Sequence, residues 1–294
     1  MPIADIRIGA VFPHFSIGTN VDEIKAFATT VEGIGFDHLF VYDHVVGGSR
    51  EGRPELEGRY TSAHNFHEIF VLFGYLAAVT TNLELVSGVI ILPQRQTVLL
   101  AKQAAEVDIL SKSRLRLGVG IGWNQIEYQA LNENFRNRGK RFEEQISVLR
   151  QLFADEVVTI NGQWHTVDRA GIQPLPLKKS IPIWIGGSSE VAIRRAARIA
   201  DGFFPNHRDL EEDAKNLAIL WDEFDRAGRD RSTFGIEPRI ILNDNNPDEW
   251  KRRFAFWQEN GATHINLATI VQPSPDSPDH LTLLESAFRT LESM

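Results

Sequence analysis

Cysteine is absent from this chain of 294 residues, which excludes disulfides, thiolate nucleophiles and zinc or iron–sulfur sites with cysteine ligands. Positive charge is scarce as well, because 31 lysines and arginines stand against 39 aspartates and glutamates and the formal net charge is −8. An acidic surface repels the phosphates of nucleic acids and of anionic membranes. We therefore expect no nucleic-acid partner and no membrane partner.

Long apolar runs are also missing. No stretch approaches the roughly 20 apolar residues that span a bilayer, and the N-terminus lacks the basic region and apolar run of a signal peptide. We therefore expect a cytoplasmic protein. The chain is 43% hydrophobic and shows no repeat or linker that would divide it, which predicts one domain over residues 1–294.

Short apolar runs alternate with longer segments of helical period, which is typical of βα units in a parallel sheet. The predicted strands are Ile6–Phe12, His38–Tyr42, Leu83–Val89, Leu115–Gly120, Ile181–Ile185, Gly202–Phe204, Ile236–Leu242 and His264–Leu267. The predicted helices are Val21–Ile34, Val98–Leu110, Arg141–Phe153, Glu190–Ile199, Glu211–Ala227, Pro247–Glu259 and Leu281–Leu291. Eight strands favour a closed (β/α)₈ barrel over an open sheet.

Two stretches fit neither a strand nor a helix of this pattern. Gly47–Asn65 is polar and rich in glycine, and Asp155–Pro176 contains Asn161-Gly162, a strong signal for a two-residue hairpin turn. We expect both to be insertions that cover the C-terminal face of the barrel, where the active sites of such barrels lie.

A glycine-rich turn joins the fifth predicted strand to the following helix. It consists of Gly186, Gly187, Ser188 and Ser189. Glycines let the backbone approach an anion and a helix N-terminus offers unpaired N–H groups, which favours a phosphate site. The same residues would also serve as a tight turn with a serine cap, and the motif leaves both interpretations open.

Asp43 and His44 follow the second predicted strand. Histidine exchanges its proton near neutral pH, so His44 is a candidate acid or base, although such a pair is also common as a hydrogen-bonded structural element. His14 is placed to approach the same space from the first strand. We predict no metal site, because adjacent residues 43 and 44 diverge in a strand and no zinc-binding spacing is present.

Glycines at 118, 120 and 122 do not make a dinucleotide fingerprint, because the final step of that motif is missing. We interpret them instead as small residues that let the barrel wall approach a ligand or a neighbouring strand.

Two blocks of the sequence resemble the luciferase-like monooxygenase superfamily, and together they cover nearly the whole chain. The first block comprises residues 92–95, 99–103, 108–111 and 114–122 with Trp123 and Glu127, and the second comprises residues 182–188, 194–198 and 200–202. Tyr42-Asp43-His44 and Leu92-Pro93-Gln94-Arg95 resemble the branch that depends on coenzyme F420. The resemblance implies a barrel with an extra insertion that usually forms a homodimer.

By position, the resemblance also implies a site. Asp43, Ser87, Gly88 and Val89 would contact the deazaflavin, with 87–89 forming a bulge that in several F420-binding members contains a cis peptide bond not involving proline. Ile121 and Gly122 would line its other side, and residues 186–189 would hold the phosphate. His44 falls on the catalytic histidine of the family, and the implied reaction is hydride transfer at carbon 5 of the ring.

The sequence departs from the pattern of the sugar-phosphate dehydrogenases of this branch. Trp123 stands where they carry a glutamate, and Pro13 and His14 stand where they and related alcohol dehydrogenases carry an acidic residue. The aromatic residues Phe12, Phe66, Trp123, Trp164 and Phe204 suit an apolar or aromatic substrate. The alternatives are a monooxygenase that uses reduced FMN and a flavin-binding protein without catalysis.

Overall fold

A computed structural model describes residues 6–53, 60–206, 209–242, 246–269 and 279–294. The strands in this part of the chain are β1 (Arg7–Val11), β2 (His38–Val41), β3 (Glu84–Ser87), β4 (Ile90–Ile91), β5 (Leu115–Gly120), β6 (Val158–Asn161), β7 (Thr166–Ala170), β8 (Ile183–Gly187), β9 (Gly202–Pro205), β10 (Gly235–Ile236), β11 (Arg239–Ile241) and β12 (His264–Ala268). The helices are α1 (Val21–Ile34), α2 (Ile69–Val79), α3 (Thr97–Leu110), α4 (Gln125–Ala130), α5 (Arg138–Ala154), α6 (Glu190–Ile199), α7 (Leu210–Arg226), α8 (Pro247–Glu259) and α9 (His280–Glu292). None of the described helices is long and apolar enough to cross a membrane.

The fold is α/β, with a parallel sheet in the order β10-β9-β8-β5-β3-β2-β1-β12-β11 and with β4 paired to β5. The sheet is curled so far that its two outermost strands, β10 and β11, follow each other in the chain. Only Glu237 and Pro238 separate them. The amide of Glu237 donates to Phe203 on one side, and the carbonyl of Pro238 accepts from Asn266 on the other.

All eight predicted strands are present, but two of them are interrupted. The seventh breaks into β10 and β11 at Pro238, which has no N–H for the ladder. The third ends at Ser87, and pairing resumes at Ile90. Helix α2 was not among the predicted helices, because residues 69–79 are apolar on every side and show no helical period.

Alternation along the strands separates an outer core, between sheet and helices, from an inner layer enclosed by the sheet. The inner apolar layer consists of Val11, Phe40, Val86, Trp184, Phe204 and Ala268. Residues one pleat further along each strand face inward at the C-terminal ends of the strands. We call this end of the sheet the mouth.

A buried charged layer lies at the opposite side of the apolar layer, toward the N-terminal ends of the strands. Arg116 pairs with Glu84 at 3.1 Å and also with Glu237, and His38 Nε2 lies 2.8 Å from Glu237 Oε1. Burial raises the pKa of Glu237, but Arg116 and His38 outweigh it and hold the pKa well below its usual range. Glu237 is therefore a buried carboxylate that stays ionised.

The segment Asp155–Pro176 differs from its prediction. Strands β6 and β7 do form an antiparallel hairpin, but its loop has four residues, because the Glu144 carboxylate accepts the amides of Gln163, Trp164 and His165 at 2.8–2.9 Å. The prediction of a two-residue turn at Asn161-Gly162 is therefore wrong.

This segment also lies along helix α3. His165 contacts Thr97 in the first turn of α3, and the carbonyl of Gln173 accepts from Lys102 in the same helix. Of the other insertion, residues 54–59 lie outside the described part. Its described residues include Tyr60 and Thr61, which pack at the mouth beside His44 and His64.

Candidate functional site

Three glycines face inward at the mouth on neighbouring strands, and one valine fills the space beside two of them. Gly88 continues β3, Gly120 ends β5 and Gly186 lies in β8. A Cβ built on Gly120 or Gly186 would come within 2.6 or 2.8 Å of the methyl groups of Val89. Val89 thus spreads over two strands as a partly exposed apolar platform.

The bulge predicted at residues 87–89 is present between β3 and β4. The Gly88–Val89 peptide bond is cis, as the resemblance implied. Gly88 packs on the ring of Phe40, where a Cβ would lie only 1.8 Å from a ring carbon. Ser87 is fully buried, and its hydroxyl donates to the carbonyl and accepts from the amide of Gly118, both at 2.8 Å. Its side chain has no surface left for a cofactor and instead joins β3 to β5.

His44 follows β2 and is paired with a buried carboxylate. Its Nδ1 lies 3.2 Å from Oε2 of Glu127, whose side chain is 1% exposed, while the His44 side chain is 16% exposed. The other oxygen of Glu127 accepts the amides of Val45 and Val46 at 2.6 and 3.2 Å. Burial raises the pKa of Glu127, but the bonds from His44 and the two amides outweigh it, and the net pKa is below its usual value.

This geometry assigns the tautomer of His44. An ionised carboxylate only accepts hydrogen bonds, so Nδ1 carries a proton directed at Glu127 and Nε2 is left to give or accept a proton. A histidine oriented by a carboxylate in this way is a common arrangement for a general acid or base.

Aromatic rings enclose His44. Tyr60 stacks on it at 4.1 Å between centroids, Phe66 meets it edge-on at 4.9 Å, and Trp123 lies at 6.3 Å and is 48% exposed. Of the aromatic residues that the sequence suggested for an apolar substrate, Phe66 and Trp123 thus lie beside His44. Phe12 does not, since it packs into the outer core against Phe27.

Asp43 is buried and forms an ion pair with Arg95 at 2.7 Å, and Arg95 also reaches Glu68 at 3.0 Å. Burial raises the pKa of Asp43 above its ordinary value, and Arg95 opposes that shift. The sequence placed Asp43 on the cofactor. The structure shows that its carboxylate serves first to fix the segment after β4 against the loop that carries His44.

His14 is not equivalent to His44. It is 2% exposed, its Nε2 accepts the amide of Tyr42 at 2.9 Å, and its ring stacks on Phe66 at 4.6 Å. Burial lowers its pKa from 6.5 to about 3, so it is neutral throughout the physiological range. The described residues contain no group of three or more histidine or carboxylate side chains that would hold a metal ion.

The turn at residues 186–189 leads directly into α6, as the sequence predicted. Ser189 is the N-cap, and its hydroxyl accepts the amide of Ala192 at 3.3 Å. A Cβ on Gly187 would lie 2.7 Å from the Cβ of Ala192, so close packing of the helix on the strand by itself requires a glycine there. Ser188 and Ser189 are exposed, and the first amides of α6 point toward the mouth edge, where an anion would bind.

Ile121 and Gly122 follow β5, next to the platform. Gly122 has a left-handed backbone with φ +65, and a Cβ would come within 2.7 Å of Ile91. Ile121 packs on the outer core, and its carbonyl accepts the Tyr128 hydroxyl at 2.5 Å. Gly122 is thus the member of this pair that lies next to the bulge strand β4.

Comparison with known proteins decides the family. The model of the luciferase-like monooxygenases matches residues 8–281. The chain belongs to this family. A protein of Mycobacterium tuberculosis, described only as uncharacterized, is 34% identical to it over 239 residues, which are 81% of this chain and 80% of that protein.

Relatives with a described activity divide between two cofactors. The F420-dependent glucose-6-phosphate dehydrogenase of Microbacterium testaceum is 30% identical over 281 residues, or 91% of this chain and 77% of that enzyme. The FMNH₂-dependent dimethylsulfone monooxygenase of Pseudomonas fluorescens is 32% identical over 194 residues, or 65% of this chain and 50% of that enzyme.

Solved structures show the same fold at lower identity. An F420-dependent secondary alcohol dehydrogenase, in complex with an F420-acetone adduct, has a TM-score of 0.79 at 15% identity and covers 98% of this chain and 99% of its own. A monooxygenase from Streptomyces bottropensis has a TM-score of 0.72 at 20% identity, with 98% and 97% covered. The curled parallel sheet of this luciferase-like protein is therefore the fold of these barrel enzymes.

The sequence did not assign a role to Glu127, Arg95 or Arg239. Glu127 stands three residues after the N-cap Asn124, which is the spacing of a capping box and predicts a bond back to its own cap. Instead it reaches the loop after β2. Its partner lies 83 residues away in the chain, and no local pattern of this luciferase-like sequence carries that pairing.

Proposed function

We propose that the protein is an F420-dependent oxidoreductase that transfers a hydride between the deazaflavin and a small organic substrate with an apolar or aromatic body. The observation that supports this most is the position of the His44–Glu127 pair at the same end of the sheet as the partly exposed Val89 platform. The relatives that depend on F420 support the choice of cofactor.

The residues at the mouth fit a flat ring system. Gly120 and Gly186 leave the space that Val89 occupies above the inner layer, and Val89 offers an apolar surface to the ring. Gly187 and Ser188 at the start of α6 would hold the phosphate with backbone N–H groups. When bound, F420 supplies hydride chemistry at carbon 5 of its ring.

The protein's own side chains supply orientation and the proton. Glu127 holds Nδ1 of His44, so that Nε2 gives or accepts a proton at the substrate atom that changes its bonding. Tyr60 and Phe66 fix the plane of the imidazole and exclude water from it. Trp123 closes the aromatic side of the site.

A monooxygenase that uses FMNH₂ is the second candidate, because one relative and one similar structure are monooxygenases. The platform, the start of α6 and the His44–Glu127 pair would serve either cofactor. A flavin-binding protein without catalysis would bind the cofactor but turn over no substrate in a broad screen.

Fluorescence titration of the purified protein with F420, FMN and reduced FMN distinguishes the two cofactors. We expect F420 to bind at least tenfold tighter than oxidised FMN, equivalent to roughly 1.4 kcal/mol. Val89→Ala should weaken F420 binding, whereas the control Val157→Ala, at a valine that is 61% exposed on the hairpin segment, should not. Equal or inverted affinities would make the FMN monooxygenase the better proposal.

We also propose that the sheet closes as a (β/α)₈ barrel and that two copies of the chain associate. Closure is supported by the bonds of Glu237 and Pro238 to strands on either side. Association is supported by exposed apolar side chains on the neighbouring helices α2 and α3, namely Val71 at 73%, Val98 at 44% and Leu99 at 53% exposure. Sedimentation analysis of wild type and Val71→Asp tests the homodimer, which the aspartate should dissociate.

A further inference from the structure

One arginine bridges the mouth from its own strand to two others. Arg239 is in register with the inward-facing Asn266, so its side chain also points into the sheet. Its Nη1 donates to the hydroxyl of Tyr42 at 2.7 Å, and its Nη2 donates to Oδ1 of Asn206 at 2.9 Å. Tyr42 follows β2 and Asn206 follows β9, so the guanidinium lies across the opening.

The charge of this arginine is not neutralised by the described residues. Both of its hydrogen-bond partners are neutral, and the carboxylates nearest the site already have partners. Asp43 pairs with Arg95, Glu127 binds His44 and two amides, and Glu237 pairs with Arg116 below the apolar layer. Arginine has five N–H donors and remains charged at all physiological pH values, so donors remain for a further acceptor.

The surroundings increase the strength of such an interaction. The Cζ of Arg239 lies 5.7 Å from the centroid of the Tyr42 ring, and that ring meets the Phe40 ring edge-on at 5.8 Å between centroids. Phe40 in turn packs on Phe204 at 5.2 Å in the inner layer. A half-buried cation above an apolar floor binds an oxyanion more strongly than a solvated one, and a guanidinium offers two parallel donors to a carboxylate.

We propose that Arg239 is a specificity-determining residue that binds a carboxylate or similar oxyanion of the substrate. The substrate is then a small organic anion whose apolar or aromatic body lies against Tyr42. This inference rests on the proposed function, which places the substrate at the mouth beside His44. Because the whole chain has a net charge of −8, an arginine without a carboxylate partner is a local exception that favours such an anion.

Binding of matched probes to the protein without cofactor tests this directly. Benzoate and phenylacetate are compared with benzamide and phenylacetamide, which have nearly the same shape and no charge, by titration followed with NMR. We expect the wild type to bind the carboxylates at least tenfold tighter than the amides. In Arg239→Gln the preference should fall below twofold, and Arg239→Lys should retain part of it. Arg150→Gln, at an arginine paired with Asp201 at the other end of the sheet, should behave like wild type.

A wild type without a preference for the anions, or a preference that persists in Arg239→Gln, would overturn the proposal. A second experiment distinguishes whether the oxyanion that Arg239 binds belongs to the substrate or to the cofactor. In it, F420 is titrated into wild type and into Arg239→Gln. F420 affinities of the two proteins within threefold of each other support the assignment of Arg239 to the substrate. A loss above tenfold with an unchanged carboxylate preference would assign Arg239 to the cofactor instead. Failure of F420 to bind the wild type would refute the proposed function without affecting the probe experiment.

Discussion

The burial of His14 makes the stability of the protein sensitive to mild acid, and one substitution isolates the effect. In the folded protein, burial and the neighbouring His67 and His44 lower the pKa of His14 from 6.5 to about 3. In the unfolded chain the imidazole regains its ordinary pKa of about 6.5. Between these two values the unfolded state binds one more proton than the folded state, so the free energy of unfolding falls as the pH falls.

The size of this effect follows from the shift. Above pH 6.5, His14 does not lower the free energy of unfolding. Below pH 6.5, it lowers the free energy of unfolding by about 1.4 kcal/mol per pH unit. At pH 5 the loss is about 2 kcal/mol for His14, given the pKa of about 3 in the folded protein. A glutamine at this position keeps an acceptor for the amide of Tyr42 but does not titrate.

Urea unfolding of wild type and His14→Gln at pH 7.5 and pH 5.0 measures the effect. The comparison is made within each variant, so that any loss of packing in the glutamine protein cancels. We expect the wild type to lose about 2 kcal/mol more than His14→Gln between the two pH values. Equal losses in both proteins would show that His14 is not held neutral by burial, and the interpretation of the mouth would have to change.

The same reasoning separates the two histidines in catalysis. A histidine that takes up a proton only near pH 3 cannot serve as acid or base at neutral pH, so His14 acts through its bond to Tyr42. In the proposed reaction, proton transfer is thereby left to His44, which has an ionised partner and an exposed edge.

Three further predictions concern catalysis, the cofactor phosphate and stability. Replacing His44 by Asn should leave F420 affinity within a few-fold, because the platform and α6 hold the cofactor. Steady-state kinetics should show turnover lowered by roughly 10² to 10⁴. A variant as active as wild type would refute the role of His44. Gly187→Ala should weaken cofactor binding, and the double variant with Ala192→Gly removes the Cβ contact; affinity restored in the double variant would mean that Gly187 serves only the turn. Glu237→Gln should lower the free energy of unfolding in urea by about 3 kcal/mol. This is the low end for a broken buried ion pair, because Glu84 still neutralises Arg116. The control Glu292→Gln, in an exposed pair, should cost less than 1 kcal/mol.

Local patterns in the sequence were sufficient for the secondary structure wherever a period or an end signal was present. Helices α1, α6 and α8 have the predicted bounds, and in each a polar cap residue marks the beginning, namely Asn20, Ser189 and Asn246. Helix α2 has no such period because all its sides are apolar, and the hairpin loop depends on Glu144 from another element. Both lay outside what a local pattern specifies.

The candidate site shows the same division. The sequence alone placed residues 43–44, 87–89 and 186–189 at the C-terminal ends of strands or directly after them, and parallel strands bring these ends to one edge. The tertiary structure decided what each side chain does there. In the folded protein, Ser87 is hydrogen-bonded to Gly118, Asp43 is paired with Arg95, and His44 is paired with Glu127.

The physical reason is that these pairings join residues far apart in the chain and depend on burial. His14 and His44 are chemically identical in the sequence, yet one is 2% exposed with its Nε2 occupied, and the other keeps an exposed edge beside a carboxylate. Desolvation and hydrogen bonding, which set their protonation, arise only when the sheet brings distant segments together. The sequence determined which groups reach the mouth, and the packing around them decided which of the two histidines keeps an exposed edge.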